Sequence, residues 1–234
     1  MNLWILISTI ILGLGLTSNP AYQLPLISIF ESEENTTASF EAVELDDAAE
    51  IIPHKIDNKS LGVKIAAQSA ATMDKNTGLI LWQKNADQVR SIASITKLMT
   101  ALVFLDNNPG WDTEITLEKQ DEINGGTNRI LRGEVVTVHD IFYTSLIASD
   151  NNATRALVRS TGVLEEEFIQ KMNNKAKELN LANTNFVDPT GLKDNNKSTA
   201  LDILSLAKVA FDNQYINDAV SKAVYNFQAI SGAN

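Results

Sequence analysis

The chain has 234 residues, 44% of them hydrophobic, enough for one main folded domain with extensions. Its formal net charge of −10 argues against a nucleic-acid partner, which rewards clustered Lys and Arg. The chain has no cysteine, so disulfides, thiol catalysis and thiolate zinc sites are excluded; with only His54 and His139, a Ser-His-Asp arrangement has few members to draw on.

Residues 3–16 form an uncharged apolar run that matches the central region of a signal peptide. The run is short for a bilayer-spanning helix, which needs ~20 residues. Thr17, Ser18 and Ala21 offer small side chains for a cleavage site, although no Lys or Arg precedes the run. Residues 1–21 are therefore expected to be a signal peptide or membrane anchor. The protein is then exported, to the periplasm or the outer face of the cytoplasmic membrane. Residues 22–60 carry nine acids against Lys55 and Lys59, a net charge of −7. Without sustained apolar periodicity, this stretch reads as a solvated acidic linker. The folded part is expected over residues 61–234.

That part opens with two expected strands, 63–73 and 79–83, joined by the turn Asp74-Lys-Asn-Thr-Gly78. Helical patterns follow. Residues 95–105 are apolar on most faces, which predicts a buried helix closed by Pro109-Gly110. Thr137-Val-His-Asp140 is a capping-box pattern for a helix running to about Ala148. Further helices are expected over 152–160, over 164–179, and from the cap Thr199-Ala-Leu-Asp202 to about Asn213. Strands first and then mostly helices predict an α+β architecture. Glu165-Glu-Glu167 suits a helix start, His139 reads as a surface or packing side chain, Trp82 and Trp111 as core or loop packing, and His54 as solvated.

Ser94 and Lys97 stand three residues apart, on one face of a helix. A serine hydroxyl is a poor nucleophile until a base takes its proton. A lysine amine is such a base when burial keeps it neutral near pH 7. The neighbours Ile95, Leu98, Met99 and Leu102 are apolar, as desolvation requires. Near a helix start, free N–H groups and the positive dipole end favour developing negative charge. Ser205 and Lys208 repeat the Ser-x-x-Lys spacing mid-helix, where nothing around them suggests a cleft. Ser149-Asp150-Asn151 falls in the break between two expected helices. There the hydroxyl and carboxamide either point into a cleft or simply cap a helix.

Taken in order, several blocks resemble the serine-type D-alanyl-D-alanine carboxypeptidases, the low-mass penicillin-binding proteins. They are the hairpin 74–82, Ala93-Ser-Ile-Thr-Lys-Leu-Met-Thr100, Arg132-Gly-Glu-Val-Val-Thr137, Leu146-Ile-Ala-Ser-Asp-Asn-Asn-Ala153, Asn185-Phe-Val-Asp-Pro-Thr-Gly-Leu192 and Ser198-Thr-Ala-Leu-Asp202. The resemblance implies the transpeptidase fold shared with serine β-lactamases, an antiparallel sheet with a helical subdomain. It implies that Ser94 attacks the carbonyl between two D-alanines and that Lys97 takes its proton. Ser149 would deliver a proton to the departing D-alanine, Asn151 would orient the peptide, and the Ser94 N–H would supply one oxyanion donor. The implied partners are peptidoglycan stem peptides ending in D-Ala-D-Ala, β-lactams, and the membrane if the leader is retained. No metal or organic cofactor is implied.

The family's third element, Lys-Thr-Gly, occurs nowhere in the 234 residues. The resemblance then implies a catalytic domain lacking its C-terminal strands, and a chain expected to be C-terminally truncated and poorly active. Two other functions fit parts of the pattern. A β-lactamase would share Ser-Asp-Asn but needs a deacylating glutamate, and the comparable stretch Ala176-Lys-Glu-Leu-Asn180 begins with alanine. A non-catalytic envelope protein could keep the fold to bind peptidoglycan.

Overall fold

A computed structural model describes residues 52–54, 63–125 and 128–231. The expected leader lies outside the described residues, as does the acidic linker apart from Ile52, Pro53 and His54. Among the described residues no helix is long and apolar enough to cross a membrane.

The body begins with a hairpin. Strands β1 (Ala70–Met73) and β2 (Ile80–Lys84) pair antiparallel, with Ala70 opposite Lys84. In the turn, the Asp74 carboxylate accepts from the Thr77 N–H at 2.8 Å and from its hydroxyl at 2.7 Å, and Gly78 supplies a φ of +71°. The first strand is shorter than its sequence pattern predicts. Residues 63–69 form no ladder, and the Ile65 and Ala67 carbonyls instead accept from the Lys84 ammonium at 3.2 and 2.7 Å.

Four more strands are too short to show a two-residue period in sequence: β3 (Arg90–Ser91), β4 (Glu114–Thr116), β5 (Val135–Thr137) and β6 (Lys197–Ser198). β4 pairs with β5 and β3 with β6, both antiparallel. The described strands thus form three separate two-stranded sheets rather than one. Helices supply most of the core, and the architecture is α+β.

A 3-10 turn, Ala93–Ile95, leads into α1 (Thr96–Leu105). This helix is buried on nearly every face, from Thr96 through Phe104 with only Leu98 partly exposed. It packs against α2 (Val138–Ile147), α3 (Asn151–Ser160), α4 (Glu165–Glu178) and α5 (Ala200–Asp212). Phe104, Phe142, Phe168, Met99 and Met172 are essentially without solvent contact at the centre of this packing. Each such side chain contributes about 1.5–3 kcal/mol relative to exposure.

Helix starts follow the sequence signals. The Thr137 hydroxyl accepts from the Asp140 N–H at 3.1 Å, and the Asp140 carboxylate accepts in return from the Thr137 N–H at 3.2 Å. The Thr199 hydroxyl caps α5 by accepting from the Asp202 N–H at 3.1 Å. Three glutamates open α4 and Lys175 and Lys177 close it, matching the helix dipole. A last helix, α6 (Gln214–Ser221), starts where the Asn213 side chain accepts from the Tyr215 and Ile216 N–H groups. Asn213 reads in sequence as the end of α5, yet it ends that helix and caps the next.

Candidate active site

Ser94 sits in the 3-10 turn just after Ala93, whose φ of +46° is uncommon for a residue with a Cβ. The bend leaves Ser94 exposed, while Lys97, one turn further, is 3% exposed. Two cross-chain contacts fix the bend. β3 pairs with β6 just upstream, and the Ile92 N–H donates to the Asn196 carbonyl at 3.1 Å. From the other side, a Cβ on Gly191 would meet the Ala93 carbonyl oxygen at 1.9 Å and the Ser94 nitrogen at 2.9 Å. Only a glycine lets the chain at 191, with a φ of +87°, lie this close to the serine backbone.

The Lys97 Nζ has three oxygen neighbours: Asn151 Oδ1 at 2.7 Å, the Thr190 carbonyl at 2.8 Å and Ser94 Oγ at 3.3 Å. Asn151 Nδ2 donates to the Gly125 carbonyl at 2.9 Å, which fixes the amide so that its oxygen faces the lysine. Asn151 Oδ1 and the Thr190 carbonyl can only accept. In the neutral amine, two N–H bonds satisfy those acceptors, and the remaining lone pair faces the Ser94 hydroxyl. Burial pulls the Lys97 pKa down from 10.5 to about 8, against the opposing pull of the Asp188 and Asp150 carboxylates.

The surroundings of Lys97 differ from the sequence reading. Ile95 points out, 43% exposed, and the groups that cover the amine are polar ones from other elements. Side chains next to each other in a helix fan around its cylinder, so sequence neighbours of Lys97 cannot wall it in. Asn151 and Thr190 arrive from 54 and 93 residues away.

Ser149 occupies the break between α2 and α3 with a φ of +54°, half-buried. Asp150 is the helix cap, accepting from the Ala153 N–H at 2.9 Å and from the Arg129 N–H at 2.5 Å. Asn151 begins α3, is 4% exposed and reaches the lysine, so the helix cap and the partner of Lys97 are adjacent residues. Ser94, Lys97 and Asn151 thus come together, while the Lys97 amine makes no hydrogen bond to Ser149. The second Ser-x-x-Lys stays apart: Ser205 bonds back to the Leu201 carbonyl of its own helix, and Lys208 pairs with Asp212 at the surface. His139 stacks on Tyr143, and Trp111 packs on Phe104 and Phe142. Among the described residues no group of three His, Cys, Asp or Glu side chains is placed to hold a metal.

Residues 187–196 form the third wall, to which residue types alone assign no role. The Asp188 carboxylate accepts from the Thr190 N–H (2.7 Å), the Thr190 hydroxyl (2.5 Å), the Gly191 N–H (2.8 Å) and the Lys193 N–H (2.9 Å). Burial pushes this carboxyl up, but the four hydrogen bonds together hold it below its ordinary value. The spacing Asp188-x-Thr-Gly191 was the available signal, as an Asp side chain closing a turn on its own backbone.

Residues 55–229 match the D-alanyl-D-alanine carboxypeptidase family, peptidase S11. The chain is 37% identical over 152 residues to the D-alanyl-D-alanine endopeptidase of Haemophilus influenzae, covering 64% of this chain and 52% of that protein. It is 36% identical over 148 residues to the D-alanyl-D-alanine carboxypeptidase DacF of Bacillus subtilis, covering 61% of this chain and 38% of the relative. The crystal structure of the Streptomyces K15 DD-transpeptidase superposes with a TM-score of 0.62 at 31% identity, covering 67% of this chain and 65% of that one. The chain spans about half the length of the first of these relatives. With three quarters of its residues matched and its fold shared, it belongs to the D-alanyl-D-alanine carboxypeptidase family.

Proposed function

We propose that this protein is a serine-type D-alanyl-D-alanine carboxypeptidase that trims peptidoglycan stem peptides through an acyl-enzyme. The observation that carries this reading is the position of Lys97 Nζ, 3.3 Å from Ser94 Oγ and held by two oxygens that can only accept, so that a neutral amine turns its lone pair to the serine. Lys97 takes the Ser94 proton as the hydroxyl oxygen attacks the carbonyl between the two D-alanines. The tetrahedral oxyanion gains one donor from the Ser94 N–H, in the turn that leads into α1. Collapse breaks the peptide bond, and the departing D-alanine amine takes up a proton delivered through Ser149. Water then attacks the ester, with a proton again passing to Lys97, and frees the shortened peptide and Ser94. Asn151 has two jobs, holding the lysine through Oδ1 and bordering the cleft in which the stem peptide is oriented.

A β-lactam would acylate the same hydroxyl, because its strained amide stands where the D-alanyl peptide bond does. The apolar run at residues 3–16 supports action outside the cytoplasmic membrane, where peptidoglycan lies. The 234 residues contain no Lys-Thr-Gly, the element to which the family resemblance would assign the substrate's terminal carboxylate. The reading is tested by D-alanine release from a peptide ending in D-alanyl-D-alanine. Release by the unaltered protein and none by Ser94→Ala is the expected result; no release by either, or equal release by both, overturns it. Cleavage of a cross-linked peptide is a second reading, favoured by the name of the Haemophilus influenzae relative. A cross-linked dimer offered in competition separates the two.

A further inference from the structure

We propose that Asp188 and Asn196 are positioning residues for catalysis, holding the 187–196 turn so that its Thr190 carbonyl sets the direction of the Lys97 amine. This inference rests on the carboxypeptidase reading above. Neither side chain hydrogen-bonds Ser94 or the Lys97 amine; both hold the turn.

Asn196 is fully buried and uses both ends of its amide. Its oxygen accepts from the Val187 N–H at 2.7 Å and the Asp188 N–H at 3.1 Å. Its NH2 donates to the Asp188 carbonyl at 2.8 Å and to the Thr96 hydroxyl of α1 at 3.0 Å. Thr100, one turn along α1, donates to the Pro189 carbonyl at 2.6 Å. The turn is therefore anchored to the same helix that carries Lys97. Inside it, the four donors gathered on Asp188 fix the peptide planes from Thr190 to Lys193. One of these planes aims the Thr190 carbonyl at the lysine, and the next brings Gly191 against the Ser94 nitrogen. One turn thus sets the orientation of the base and supports the nucleophile. With that carbonyl displaced, the neutral amine has one fixed acceptor rather than two, and its lone pair can swing off the serine.

Asp188 has a second, opposing effect. Its charge favours the lysine ammonium. Removing the charge yields more free amine at neutral pH, while loosening the turn leaves that amine less well aimed. A residue that merely stabilises the fold would produce neither effect.

The test compares Asp188→Ala, Asp188→Asn and Asn196→Ala with the unaltered protein. Two measurements are made: the pH profile of acylation by a fluorescent penicillin, and NMR titration of the Lys97 side chain. For Asp188→Ala and Asn196→Ala the limiting acylation rate is expected to fall about 10²-fold, the scale set by displacing a reacting group by about 1 Å. The half-saturating penicillin concentration should stay within about threefold. Asp188→Asn keeps an acceptor for Thr190 and Gly191, so it should recover most of the rate, with the acid limb and the lysine titration moved to lower pH. Folded variants with unaltered rate and acid limb overturn the proposal. If the alanine variants do not fold, an unmoved Lys97 titration in Asp188→Asn overturns it. An unaltered protein that forms no penicillin adduct contradicts the carboxypeptidase reading instead, and the titration still decides the role of Asp188.

Discussion

Lys97 is buried with two acceptors and one hydroxyl around its amine, and its pKa of about 8 sets how acylation depends on pH. At its ordinary value of 10.5, only about 3 in 10⁴ lysines are neutral at pH 7; at about 8, roughly one in ten is neutral. The fold thus raises the population of competent base by roughly 300-fold. Acylation should fall tenfold for each pH unit below about 8 and level off above it. Arginine stays protonated, so Lys97→Arg should lose at least about 10³-fold at pH 8 and show no acid limb. Linkage gives an independent check of the same shift. The folded pKa lies below the unfolded one, so folding disfavours the charged form. The penalty is full below about 8, shrinks between 8 and 10.5 and vanishes above, amounting to about 3 kcal/mol. Urea unfolding of the unaltered protein and Lys97→Met should therefore diverge by about that amount, in favour of the unaltered protein, as pH rises through this window. Rapid-mixing acylation from pH 5 to 10 provides the kinetic half. A rate that stays flat below pH 6, or rises only above pH 10, refutes the reasoning.

Other consequences follow from single contacts. Gly191→Ala places a Cβ against the Ala93 backbone at 1.9 Å, so the serine turn must shift. Acylation should drop about 10²-fold, and thermal unfolding should show a loss of at least about 1–2 kcal/mol. Asp121, 2% exposed, accepts from Arg159 at 2.9 and 2.8 Å and from the Glu118 N–H at 2.8 Å. Asp121→Ala should cost about 2–4 kcal/mol in urea unfolding, with acylation by the folded fraction unchanged. The Tyr225 hydroxyl donates to Asp140 at 2.6 Å and lies 3.0 Å from His139 Nδ1. Tyr225→Phe should cost about 1–2 kcal/mol by the same assay.

What the sequence reveals divides along the range of the interactions. Local signals lead to local structure: the Asp74–Gly78 turn, the Thr137–Asp140 box and the Thr199 cap all form from side chains within five residues of one another. Burial of the 95–105 segment is also readable, because apolar residues on most faces leave it no solvent side. The pairing of Arg90–Ser91 with Lys197–Ser198 is invisible, since two-residue strands carry no periodicity and their partners are about a hundred residues apart. The site divides in the same way. The Ser94–Lys97 spacing is a helix property and can be seen in the chain. The dry environment of the amine is assembled from α3 and the 187–196 turn, so apolar sequence neighbours were a misleading guide. Asn213 shows the remaining ambiguity, since one asparagine both ends a helix and starts another.

The most direct measurement of the central claim is the site of covalent attachment after exposure to penicillin. The protein, incubated with penicillin, digested and analysed by mass spectrometry, should carry the penicilloyl group on the peptide containing Ser94. Ser94→Ala should carry none, and Lys97→Arg only a trace. An adduct on any other residue, or none on the folded protein, contradicts the assignment of Ser94 as a nucleophile activated by Lys97.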